Sequence, residues 1–89
     1  MQTHDLKTTP DKFRAIKAGL KRFELRVNDR NFAIGDNLHL QEFVQQANRY
    51  TGQELTVKVL YIIPLAEFFN EPQARKWVIM SISDPEPNK

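Results

Sequence analysis

The sequence predicts an α+β domain that is mainly β: five short strands closed into a small barrel, with one N-terminal helix packed against it. Three observations carry this reading. Apolar and polar side chains alternate from Lys21 to Asn28 and again from Glu54 towards Ile63, and a period of two marks a strand with one face turned to a core. Phe13, Ile16 and Leu20 fall at i, i+3 and i+7, the stripe of a helix at about residues 10–18. Gly19, Gly35 and Pro64 fall between these segments, where turn chemistry is needed. Closure into a barrel removes the edges that an open sheet of this size exposes.

The first element is a strand at about residues 3–8, with His4, Leu6 and Thr8 on one face and Asp5 and Lys7 on the other. The helix that follows has clear start signals. Thr9 suits the N-cap, Pro10 the first helical position, and Asp11 complements the positive end of the helix dipole. Gly19 is the expected left-handed stop. In the next strand, Phe23, Leu25 and Val27 are expected to face the core, leaving Arg22, Glu24, Arg26 and Asn28 outside. Residues 28–31 read as a turn, and Phe32 and Ile34 as anchors of the connection beyond it.

Gly35-Asp36 turns the chain into a third strand, with Leu38 and Leu40 inward. Residues 44–52 read as a polar loop or hairpin tip. The longest strand, 54–63, carries Leu55, Val57, Val59, Tyr61 and Ile63 on one face, and its far end reads as buried on both faces. Leu65, Phe68 and Phe69 belong to a helical turn or lid, and Trp77 to Ser83 is the last strand, with Ile79 in the core. Residues 1–83 make one domain and 84–89, with two prolines, a flexible tail.

Composition limits the function classes. The 89 residues contain no cysteine, so neither a disulfide framework nor a thiolate metal site is available, and a reducing cytoplasm fits. The N-terminus has no basic-then-apolar leader, and no apolar run reaches the roughly 20 residues that span a bilayer. His4 and His39 stand far apart without zinc-ligand spacing, so no metal and no cofactor is expected. Net charge is only +2, yet eight of the thirteen basic residues lie in the first thirty positions, against four acidic ones. A basic half attracts phosphates; it also serves as a solvated face.

The densest charge lies from Gly19 to Asp36. The run G-x-K-x-x-E-x-R-x-N-D-R, formed by Gly19, Lys21, Glu24, Arg26, Asn28, Asp29 and Arg30, resembles the signature of ASCH domains of the PUA-like superfamily. In particular it resembles a branch of short bacterial and phage proteins. The opening His4, Leu6 and Lys7, the Gly35-Asp36 turn and Tyr50 to Gly52 agree with it in order. The resemblance implies a PUA-like barrel with a cleft beside the helix. It also implies an association with RNA binding, nucleoside chemistry or translation-linked regulation.

Some small ASCH proteins hydrolyse acetylated cytidine, using a lysine followed three positions on by a threonine nucleophile. Lys21 matches that lysine, but Glu24 stands in the threonine's place, and a carboxylate does not replace a hydroxyl in acyl transfer. Two main readings follow. In the first, the domain binds RNA, another single strand or a nucleoside-like small molecule through Lys7, Lys21, Glu24, Arg26, Asp29, Arg30 and Tyr50. In the second, it is an amidohydrolase-type enzyme on a modified nucleoside, with Lys21 and Glu24 as catalytic residues. The first is favoured, because a carboxylate paired with Lys21 and Arg26 orients a ligand better than it accepts a proton. A phage or bacterial accessory protein working through protein contacts is the third possibility. The sequence leaves the oligomeric state open.

Overall fold

The computed structural model describes residues 1–87. Five main strands and one α-helix alternate in the order β1 (Thr3–Thr8), α1 (Pro10–Lys17), β2 (Phe23–Val27), β3 (Asn37–Val44), β4 (Arg49–Pro64) and β5 (Trp77–Ile82), with a two-residue β6 (Glu86–Pro87) at the end. The residues between β4 and β5, expected as a helical turn or lid, form two short 3-10 turns, Leu65–Glu67 and Pro72–Lys76. The domain is therefore α+β and mainly β. No helix among the described residues is long and apolar enough to cross a membrane.

The strands make one mixed sheet in the order β1-β3-β4-β5-β2. β1 runs parallel to β3, and the remaining neighbours are antiparallel. Strand β4 is the spine. Its first part pairs with β3 and its second with β5, with a register shift between Val59 and Tyr61. The sheet curls around a core of Leu6, Phe13, Leu38, Leu40, Val57 and Met80 with their neighbours. The expected closed barrel is corrected at one place: among the described residues no backbone ladder joins β1 to β2. Two arginines bridge that seam instead. Nη2 of Arg26 donates to the Lys7 carbonyl at 2.9 Å, and Nη1 of Arg30 donates to the Asp5 carbonyl.

Strand β1 faces as its alternation requires, with His4, Leu6 and Thr8 buried. Helix α1 buries Phe13 and Ile16, but Leu20 is 84% exposed. The helix ends at Lys17, Gly19 takes φ +77°, and the amides of Leu20 and Lys21 both bond to the Ala15 carbonyl. Leu20 thus lies past the stop, where helical spacing no longer applies. Ile34, expected as an anchor, is likewise exposed, while Phe32 is buried.

The main correction concerns β2. Its alternation is present, but its faces are exchanged. Glu24 is 2% exposed and points inward, while Phe23 (43%), Leu25 (46%) and Val27 are half-open. A period of two says which residues share a face and not which face meets the core. The ladder with β5 decides it: Glu24 lies opposite Met80, which is fully buried, and Leu25 lies opposite Ile79, which is only partly covered. Similarly, the far end of β4 is not buried on both faces, since Leu60 and Tyr61 are exposed beside the register shift. The tail is partly held, because Glu86–Pro87 pair with Thr56 and Leu55. The rest of the expected flexible tail, residues 88 and 89, lies outside the described residues.

One polar knot closes the bottom of the sheet. Asp36 is buried and accepts hydrogen bonds from the amides of Gln2 and Ala33, both at 3.0 Å, and meets Nε2 of His4 at 2.9 Å. Gly35 takes φ +94° just before it and donates its amide to the Val59 carbonyl. The Gln2 amide, then His4, hold the Asp36 carboxyl down at about 2.

Candidate functional site

The seam between β1 and β2 opens into a cleft of about 640 Å³. Both strands reach it because they are the two ends of the sheet, and the sheet's curl turns those ends towards each other. Its floor is Glu24. Oε1 accepts from Nζ of Lys21 and Oε2 from Nε of Arg26, both at 2.8 Å. Spacing along the chain brings this about: Arg26 lies two residues on along the same face of β2, and Lys21 lies just before the strand. Burying a carboxylate is tolerable when it is paired on both oxygens, and among the described residues no buried side-chain nitrogen or oxygen lacks a partner.

The cations are fixed in turn. Nζ of Lys21 also donates to the Phe23 carbonyl at 2.6 Å and lies 4.5 Å from the centre of the Phe23 ring. Besides the Lys7 carbonyl, Nη2 of Arg26 reaches the Thr8 hydroxyl at 3.5 Å. Arg30 stands at the open end near Asp29, at 3.9 Å. The cleft wall carries the cationic side chains Lys12, Lys21, Arg26 and Arg30 with the carboxylates Glu24 and Asp29, and Phe23, Phe32 and Trp77 supply aromatic surface. This arrangement can hold an anionic group against an aromatic wall.

Of the residues singled out from the sequence, Lys21, Glu24, Arg26, Asp29 and Arg30 all come together here. Lys7 lines the cleft too, but its ammonium lies elsewhere, 4.4 Å from the centre of the Phe43 ring and 6.0 Å from that of Tyr50. Tyr50 packs edge-on against Phe43 and does not line the cleft. Thr8, Lys12 and Phe32 were missed as site residues. The alternation of β1 places Thr8 on the inner face, yet nothing local tells that this face ends at a cleft. His39 sits apart, bridging Asp5 at 2.8 Å and Glu54 at 2.6 Å on the outer side of β1, β3 and β4. The bond to Asp5, helped by Glu54, raises its pKa above the ordinary histidine value. No cluster of metal-binding side chains occurs among the described residues.

This chain is similar to known proteins in fold and in sequence. A crystal structure of hypothetical protein PH0355 superposes with a TM-score of 0.62 at 21% identity, over 97% of this chain and 100% of that one. The likeness extends to the fold alone. In sequence, the chain is similar to the uncharacterized 12.9 kDa protein in the GpA 3' region of Escherichia phage P2. The two are 31% identical over 68 residues, which is 76% of this chain. The chain spans 61% of that relative's length. Residues 3–82 match the family model described as a domain of unknown function, DUF3850. With both strands of the cleft and the whole sheet path inside that match, the chain belongs to the DUF3850 family.

Proposed function

We propose that this protein is a cytoplasmic binding module for single-stranded RNA or a nucleotide-like ligand, which it takes in the cleft between β1 and β2. The observation that carries the reading is the buried Glu24, clamped by Lys21 and Arg26 at the floor of a cleft walled by further cations and aromatic rings. Glu24 fixes the two cations rather than reading the ligand itself, because both of its oxygens already accept from them. Lys21, Arg26 and Arg30 meet phosphate oxygens, and a guanidinium does so with two donors at once. An aromatic wall suits an unpaired base. The resemblance to ASCH and PUA-like domains supports the same class of ligand.

Both oxygens of Glu24 are taken by Lys21 and Arg26, and position 24 offers no hydroxyl nucleophile for acyl transfer, so acetylcytidine is expected to be bound and not turned over. With three or four phosphate contacts, affinity for a labelled single-stranded RNA is expected to fall with salt at a log–log slope of about −2 to −3. Arg30→Ala is expected to weaken binding and flatten that slope. No binding at low salt, or binding indifferent to salt, would refute the reading. Cytidine release from acetylcytidine by the parent, abolished in Glu24→Gln, would make the protein an enzyme instead.

A further inference from the structure

The outward face of β2, β5 and β4 carries side chains that neither the core nor the floor of the cleft uses. The ladders place Phe23, Ser81 and Tyr61 in one row across the three strands. They point away from the core, because their chain neighbours Glu24, Met80 and Ile62 are packed into it. Tyr61 is 61% exposed, and Leu25, on the same face of β2 as Phe23, is half-open as well. An apolar surface of this kind on a small domain marks an interaction site.

The row itself says what fits. Phe23 and Tyr61 stand two strands apart, which is roughly 10 Å at ~4.8 Å per strand. Ser81 between them is small and exposed. Two rings at that distance leave room for one planar group between them, since stacked rings have centres about 4.5 Å apart or more. The slot is also continuous with the cleft. Phe23 lines the cleft, and the Lys21 ammonium that clamps Glu24 lies beside the Phe23 ring. Planar groups joined by anionic links are what a nucleotide strand offers to such a surface.

We propose that the Phe23–Ser81–Tyr61 row is a base-stacking slot for single-stranded nucleic acid, taking the base next to the nucleotide held in the cleft. The proposal rests on the nucleotide reading of the cleft and extends it from one nucleotide to at least two. The test compares two probes on the full chain: uridine monophosphate, which fills only the cleft, and a labelled short oligouridylate, which reaches both.

Tyr61→Ala is expected to weaken the oligouridylate about 5- to 150-fold and to leave the monophosphate unchanged. Ser81→Trp, which fills the slot, is expected to do the same, and Tyr61→Phe to retain binding. If the parent binds neither probe, the cleft reading and the slot both fall. If the oligouridylate binds the parent and Tyr61→Ala equally, or if Tyr61→Ala weakens both probes alike, the slot alone is overturned. A parent that sediments as a dimer, and a Tyr61→Ala variant as a monomer, would make the face a contact between copies of the chain and overturn the slot.

Discussion

Truncating Met80 to alanine is expected to lower the unfolding free energy by about 2–5 kcal/mol, whereas Leu25→Ala is expected to cost under about 1 kcal/mol. The contrast follows from the exchanged faces of β2. Met80 is fully buried between its ladder partners Glu24 and Ile62, while Leu25 remains half-open on the other side of the sheet. For a domain of 89 residues, whose whole stability is on the order of 5 kcal/mol or a little more, the first loss threatens folding. Urea denaturation of the two variants beside the parent measures both. An equal loss in the two would show that Leu25 lies in the core and that the faces of β2 are wrongly placed.

Asp36→Ala is the second large effect, expected to cost about 2–4 kcal/mol, because it leaves two amides and His4 in buried surroundings without their acceptor. The same residue sets an acid limit. Its folded pKa of about 2 lies below the ordinary 3.8, so its contribution is present above pH ~4 and is lost as pH falls from ~4 to ~2. Denaturant midpoints followed over that range should drop more steeply for the parent than for Asp36→Asn. Parallel curves for the two would show that this carboxylate does not carry the acid sensitivity.

The strands, the helix and the charged constellation were legible because their signals are local. His4, Leu6 and Thr8 face inward as a period of two requires, Glu24 and Arg26 pair because a spacing of two keeps them on one face of β2, and Lys21 reaches Glu24 from just before that strand. Three features were not legible. The face of β2 that meets the core depends on β5, some fifty residues away in sequence. The His4–Asp36 pair joins residues 32 apart, so each alone reads as a strand or turn residue. Closure was inferred from the liability of exposed edges, but this chain covers part of that edge with guanidiniums, a device that looks like ordinary surface charge in a sequence.

The order of the sheet also bears on how the molecule comes to be folded. Strands β3, β4 and β5 follow one another in the chain and pair with their immediate successors, so their loop-closure entropy is small. Strands β1 and β2 join this meander from its two sides by long-range pairing, and they are the strands that build the cleft. The transition state should therefore contain the meander with its two outer strands still loose. In chevron analysis, Val57→Ala is expected to slow folding, whereas Leu6→Ala mainly speeds unfolding; the reverse pattern would place nucleation in β1. On this route the cleft is the last part of the molecule to be assembled and the first to come apart.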